Sequence, residues 1–510
     1  MTPTRRDFIK FIVAGSVAAG CPIDLALLGA PAAGKQEVDG ESYDICHRVR
    51  DNEHFAPPPV SKRYDVVIVG GGMSGLSAAH FLGDKNFLLL EKEEHWGGNA
   101  YGEDYQGQGF ATGSAFDSRG SEADQLAREL GLKQLPISNP DPTIINGKWV
   151  ADTWRSGLDE LPYSASVRES FKKFRKDVLA LKVDKNAAQF DNEPLTKYLE
   201  GYAPEIKAWW DGYGPSNWGA RSAETSALLG LWELQEIGAE KFEDDRVTLP
   251  GGNGAITKRL TEVLESKHRE QMVAGATVVS VEQGKGEVNV TYFHAGQLKA
   301  VAAKAVIMAS PKFITARLVA GIPDEQLEAM NSIRYIPYPV VNLIFDKPIY
   351  NRGYDTWCPG NTFTDFVVAD WTVRNEPGYK QKNNILSFYT PLRESERFKL
   401  LTIEGCQKIA AGVVRDFQKL LPEFNADPVE VHLYRRGHPL FMSVPGNFTR
   451  VQPVASRPMN FVFFANTDSS SRASDIGGAV KAGRLGAEWA AKILSGKTAA
   501  QASAAVGLAG

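Results

Sequence analysis

Residues 64–91 read YDVVIVGGGMSGLSAAHFLGDKNFLLLE. An apolar run at 66–69 meets a glycine cluster, then small residues at helical spacing, then a second apolar run closed by Glu91. That pattern predicts strand, tight turn, helix and strand. Gly70, Gly72 and Gly75 fit G-x-G-x-x-G. The first glycine permits the turn, the second admits a pyrophosphate to the backbone, and the third lets helix pack on strand. The helix N-terminus offers unpaired N–H groups and a positive dipole end to phosphate. Glu91 stands 21 positions after Gly70, where a carboxylate accepts hydrogen bonds from a ribose. Strand, turn, helix and acid together predict a dinucleotide site.

The following residues bear on which dinucleotide. Glu91 leads into Lys92-Glu93-Glu94-His95-Trp96-Gly97-Gly98-Asn99. An acid-ended strand and a Gly-Gly turn resemble the FAD site of the flavin amine oxidase superfamily, where that turn passes beside the phosphates. Arginine usually follows the two glycines there, and Asn99 stands here, so a charge partner is missing although an amide still donates to phosphate. In this departure the chain is similar to bacterial spermidine dehydrogenases.

The resemblance continues along the chain. Ala111-Thr112-Gly113-Ser114 resembles the turn near the flavin, and Leu249-Pro250-Gly251-Gly252-Asn253-Gly254 the family's Pro-x-Gly-Gly helix start. Residues 276–282 (ATVVSVE) resemble the strand whose backbone touches adenine, with Val279 at the contact. Residues 305–311 (AVIMASP) resemble the buried strand returning to the nucleotide domain. FVFFANTDSSSRASDIGGAVKAGRLGAEWAA resembles the last FAD segment, with Asp468 as the acid on the flavin's polar chain and Ile476-Gly477 opening a helix toward the flavin O2 edge. That helix dipole would stabilise negative charge on reduced flavin. No cysteine occurs in 461–478, so a cysteinyl flavin link of the monoamine oxidase kind is not expected.

The resemblance implies an α/β fold: a Rossmann-type FAD-binding domain with an inserted α+β substrate domain and a helical cap. The expected division is a signal segment 1–32, an arm 33–61 running over the surface, an FAD domain from 62–117, 245–334 and 455–497, a substrate domain from 118–244 and 335–454, and a disordered tail 498–510. At 510 residues and 43% hydrophobic, the chain is long enough for two or more cores. The net charge of −4 comes with no basic stripe, which gives nucleic-acid binding no support.

The N-terminus reads as an address. Thr4-Arg5-Arg6-Asp7-Phe8-Ile9-Lys10 fits the twin-arginine export pattern, and Ala30-Pro31-Ala32 is an A-x-A cleavage candidate. The apolar stretch 11–28 is broken by Pro22 and Asp24, too short for a transmembrane span. A periplasmic enzyme exported folded, with no transmembrane segment in the mature chain, is expected. The loose lipobox Val17-Ala18-Ala19-Gly20-Cys21 offers lipid attachment at Cys21 as the lesser alternative. Cys46, Cys358 and Cys406 survive cleavage, an odd number. Cys46-His47 lacks the first cysteine of a haem motif because Tyr43 stands there, and no metal-ligand cluster is visible.

Candidates for catalysis are His438, Trp371 and Tyr389. His438, in Tyr434-Arg435-Arg436-Gly437-His438-Pro439, resembles a histidine-bearing segment of the spermidine dehydrogenases and could act as a base or bind an amine. A structural histidine is the equal alternative. Trp371 and Tyr389 are read on strands that could face the flavin, with core packing the commoner outcome for such aromatics. Amine oxidases often place a lysine near flavin N5. Here Val340 falls near that position and no lysine occurs in 335–345, which favours a dehydrogenase over an oxygen-using oxidase.

The leading expectation is an exported FAD-dependent enzyme that oxidises a C–N bond of a polyamine-like amine by hydride transfer to N5. Electrons would pass to O2 or to a periplasmic acceptor such as a cytochrome or quinone. The alternatives are C–C desaturation of an apolar substrate, as in phytoene desaturases, and a non-catalytic flavoprotein acting in electron transfer or binding. An amine enzyme predicts carboxylates or an aromatic cage beside the flavin. A desaturase predicts a long apolar tunnel.

Overall fold

A computed structural model describes residues 35–137, 141–240, 244–424, 426–469 and 475–507. The twin-arginine segment, the Ala30-Pro31-Ala32 site and Cys21 lie outside the described residues.

The strand Val60–Val69 and the strand Phe87–Leu90 pair in parallel, Val66 opposite Phe87 and Val69 opposite Leu90. Both are buried on two faces, which is why they read as unbroken apolar runs rather than alternating ones. Gln297–Met308 lies on the other side of Val60–Val69, also parallel. Val462–Phe464 joins its C-terminal half in parallel, while Val288–His294 pairs antiparallel with its N-terminal half. Ala276–Gln283 and Met272–Val273 complete a seven-stranded sheet. Its strands come from three separated stretches of chain. Val66 and Ile68 enter one core cluster and Val67 and Val69 another, so cores lie on both faces.

The helix Met73–Leu82 packs against Ile476–Leu494. Small residues make the approach close. A Cβ at Gly483 would lie 2.2 Å from the Ser74 carbonyl oxygen. This packing brings both helix N-termini to the same end of the sheet, each fed by a strand of that sheet.

A second, eight-stranded mixed sheet contains Val340–Phe345, Asn384–Tyr389, Asp365–Val368, Asp355–Trp357 and Glu430–Arg435. One of its faces is covered by the amphipathic helix Ile403–Leu420, through Val341, Leu343, Phe366 and Phe388. A helical layer containing Ala165–Ala180, Pro204–Trp218 and Ala227–Gly238 carries its own core around Trp154, Phe171 and Trp210.

Two expectations about the ends are corrected. The arm does not merely cross the surface: Lys35–Gly40 adds a parallel edge strand beside Glu430–Arg435, and the short helix Asp44–Arg50 follows. Backbone pairing to an open sheet edge supplies order that composition does not reveal. The tail expected to be disordered forms the helix Ala499–Ala505, with a Thr498–Gln501 capping box and Ala502 fully buried. Capping and one apolar anchor offset its low complexity. No helix among the described residues is long and apolar enough to cross a membrane.

Candidate active site

A cavity of about 800 Å³ runs from the Gly70 turn to the N-terminus of Ile476–Leu494. Gly70, Gly72, Glu91, Gly97, Gly98, Asn99, Ser114, His438 and Ile476 line it. Gly70, Gly97 and Gly98 have φ of +108°, +117° and +55°. Gly97 pairs with Gly72 in an isolated parallel bridge, which sets the two glycine turns side by side. A Cβ on Gly75 would lie 1.8 Å from the Gly70 carbonyl oxygen, so only glycine lets the helix start there. A Cβ on Gly72 would find nothing nearer than 3.8 Å. That backbone is open to a ligand, as pyrophosphate binding at a helix N-terminus requires.

The Glu91 carboxylate is buried and accepts from the backbone N–H of Gly71 (2.6 Å) and of Glu93 (2.9 Å). Burial pushes its pKa up, against the pull of Lys92 and of those N–H donors. Each oxygen keeps a lone pair for a ribose hydroxyl. Across the cavity, Ser114 is held by Asn253, whose amide donates to the Ser114 hydroxyl and to the Phe116 carbonyl, both at 2.7 Å. The Gly251-Gly252-Asn253 turn therefore fixes the 113–116 segment. A long cavity with a glycine-lined phosphate end, a ribose acid and a second helix N-terminus fits an extended dinucleotide.

Several candidates are placed otherwise than expected. Asp468 is turned away from the cavity: its carboxylate bonds Lys312 Nζ, the Lys312 N–H and the Tyr335 hydroxyl in a fully buried network. At this end the acid lining the cavity is Asp475, whose carboxylate caps Ile476–Leu494 through the Gly478 N–H. Val279 sits at a register shift in its strand and is packed in the core, so Ala276, Thr277 and Val278 face the cavity instead. Gly477 meets Ser121 rather than the cavity, and Gly113 lies behind Ser114 against Asn99 and Arg436. Trp371 is on a short 3₁₀ turn, Trp371–Val373, not on a strand. That strand ends at Val368, and buried Asp370 holds Arg374 across the turn at 2.7 Å.

The three catalytic candidates do not converge. His438 lines the cavity with its ring stacked on Phe313 at 4.3 Å. Burial, aided by Arg397, His47 and Arg50, pushes it down to about 3, so it is neutral at ordinary pH. Tyr389 and Trp371 instead pack around Tyr354 and Val367. The Tyr389 hydroxyl donates to the Gly113 carbonyl at 2.8 Å, and Tyr354 reaches the Ala115 carbonyl at 3.4 Å. This packed cluster thus backs onto the turn that carries Ser114. Val340 is buried between Tyr389 and Tyr434 in the sheet.

Sequence reading missed two carboxylates beside that cluster. Asp355 stands opposite Val367 and Asp365 opposite Trp357, so the two carboxylates are diagonal neighbours on one sheet face. Both are about 3% exposed. Asp365 accepts from the Ser216 hydroxyl (2.7 Å), which also meets Tyr338. Asp355 Oδ1 has no hydrogen-bond partner among the described residues. Burial and the neighbouring acids Asp365 and Asp141 push Asp355 well above the usual carboxylate range, and burial pushes Asp365 up to about 7. The nearby cation Arg246 is already engaged by Asp141 and Asp244. The available signal was an acid inside the apolar strand FTDFVVADW.

Comparison with known proteins settles the family. The profile of flavin-containing amine oxidoreductases matches residues 73–489. The chain belongs to this family. Membership implies FAD as the dinucleotide for which the cavity residues are arranged. The oxidoreductase PigB of Serratia sp. is 23% identical to the flavoenzyme over 61% of this chain and 58% of PigB, so the chain spans under two thirds of that relative. Amine oxidase [flavin-containing] B of Homo sapiens is 22% identical over 84% of this chain and 86% of its own. The structure of putrescine oxidase bound to putrescine superposes with a TM-score of 0.65 at 18% identity, covering 85% of this chain and 99% of that one, a likeness of fold.

Proposed function

We propose that this flavoenzyme oxidises a C–N bond of an amine, with preference for polyamine-like substrates carrying a second cationic nitrogen. The observation that carries this reading is the buried Asp355–Asp365 pair, with a carboxylate oxygen lacking a hydrogen-bond partner among the described residues, behind the Gly113-Ser114 turn. Buried carboxyls without a cation are costly, and an ammonium supplies one. Tyr338, Tyr354 and Tyr389 lie beside the pair, and burial pushes all three phenols up, so they stay protonated and donate. FAD, when bound, accepts the two electrons of the oxidation. The chain's part is to hold one nitrogen at the carboxylates, present the neutral amine to the flavin side and exclude water. Buried acids and phenols favour a cationic substrate over the apolar one that desaturation would need.

We further read the N-terminal pattern as folded export to the periplasm, supported by the twin arginines Arg5-Arg6. With no lysine in 335–345, electrons are read as passing to a periplasmic cytochrome or quinone in preference to O2. The test is anaerobic titration of FAD-loaded protein with diamines, monoamines, amino acids and alcohols while following flavin absorbance. Diamines should bleach it at the lowest concentration. Failure of every amine to bleach fully loaded protein overturns the reading. Fractionation of cells expressing an Arg5→Lys, Arg6→Lys variant tests export.

A further inference from the structure

Asn99 removes the cation that the family usually places after the Gly-Gly turn. A different cation occupies the neighbourhood. Arg436 leaves the end of Glu430–Arg435 and enters the protein between two segments of the FAD cavity. Its NH1 donates to the Gly98 carbonyl and to Asn99 Oδ1, both at 3.3 Å. Its Nε donates to the Thr112 carbonyl (3.2 Å) and its NH2 to the Thr112 hydroxyl (2.9 Å). All four acceptors are neutral. The side chain is 6% exposed, and no carboxylate pairs with it among the described residues. Burial draws its pKa down, only partly offset by the carboxylates of Glu41, Glu93 and Asp39, which act on it without a direct bond. A guanidinium has five donors, so one N–H remains beyond these four bonds.

A buried cation bonded only to neutral acceptors is expensive unless a ligand brings an anion into contact. Gly98, which Arg436 touches, lies against Gly72, the glycine whose backbone is open to phosphate: a Cβ on Gly98 would be 3.0 Å from Gly72 Cα. Asn99 is committed elsewhere, its amide donating to the Pro439 carbonyl at 3.1 Å. That bond holds the 436–439 turn on the glycine turn, and so holds Arg436 in place. We infer that Arg436 is the counter-ion of the FAD diphosphate in this chain, delivered from the substrate domain's sheet in place of the residue at 99. Cofactor binding then ties the two sheets together, because the cation and the glycine turn come from different ones.

The test uses apoprotein reconstituted with FAD, followed by flavin fluorescence and by thermal melting of apo and loaded forms. Arg436→Met should weaken FAD binding on the order of 100-fold, melt at or above the native temperature as apoprotein, and leave the flavin reduction potential nearly unchanged. Asn99→Arg added to Arg436→Met should restore much of the affinity. Native affinity in Arg436→Met overturns the inference, whatever the potential: a shifted potential would place the charge at the flavin ring instead. Apo Arg436→Met that melts far below native apoprotein, or fails to fold, also overturns it, since the guanidinium would then serve its four neutral acceptors.

Discussion

Lys312 Nζ and the Asp468 carboxylate lie 2.7 Å apart with neither side chain exposed to solvent. The pair is satisfied on all sides: Lys312 also donates to the Ser469 hydroxyl (2.6 Å), and Tyr335 donates to Asp468 (2.5 Å). It ties the turn after Gln297–Met308 to the turn after Val462–Phe464 beneath the cavity. Removing one partner leaves a buried charge, which costs about 3–5 kcal/mol. Lys312→Met should lower the melting temperature markedly. Replacing both residues with apolar ones of similar volume should recover most of the loss. A single variant that melts like the native protein would remove the network from the list of structural supports.

The Asp355–Asp365 pair makes amine binding pH-dependent. An ammonium needs an ionised carboxylate, and burial pushes the Asp365 carboxyl up to about 7. Affinity for a cationic amine should rise as pH increases through 7, and fall only when the amine itself deprotonates. Stability follows the opposite sign. A carboxyl whose pKa is raised above its unfolded value of 3.8 gives its full contribution below that value and loses it as pH climbs through 7. Amine should therefore stabilise the protein more at pH 8 than at pH 6. Asp365→Asn should flatten both profiles, as read by melting curves with and without a diamine.

His438 gives a separate limb. Its pKa is lowered from 6.5 to about 3, so the folded state favours the neutral ring. That contribution is complete above 6.5 and is lost as pH falls from 6.5 toward 3. His438→Gln should make the decline in melting temperature below pH 6.5 shallower. Its effect on flavin bleaching by amines should be small, because the ring stacks on Phe313 and not on Tyr338, Tyr354 or Tyr389. A bleaching rate cut 100-fold with native FAD affinity would instead mark the histidine as catalytic.

Gly75→Ala offers a test of the glycine turn. The added methyl would meet the Gly70 carbonyl oxygen at 1.8 Å, and backbone cannot yield that far without moving the helix start. Overpacking of this kind costs about 1–3 kcal/mol or more. FAD binding should be lost well before the fold melts, as seen by a colourless protein with a native-like far-ultraviolet spectrum. Gly83→Ala, with φ of +59° but nothing within 4 Å, should keep its flavin.

What the sequence determined by itself is local. The glycine turn at 70–75, its flanking strands and Glu91 were legible because turn conformation, helix period and strand burial are written in adjacent residues. The same holds for the strand Val340–Phe345 and the helix Ile476–Leu494. Tertiary structure decided which charges meet. Arg436 and Gly98 are 338 positions apart, Lys312 and Asp468 156, and Asp355 and Asp365 become neighbours only through the register of two antiparallel strands. Asp468 reads as a cofactor acid until Lys312 claims it. The arm reads as a surface crossing until the open sheet edge offers it hydrogen bonds. Spacing along the chain encodes backbone conformation, whereas the partner of a buried charge is fixed by how sheets and helices pack, and the cost of leaving that charge alone makes the pairing decisive.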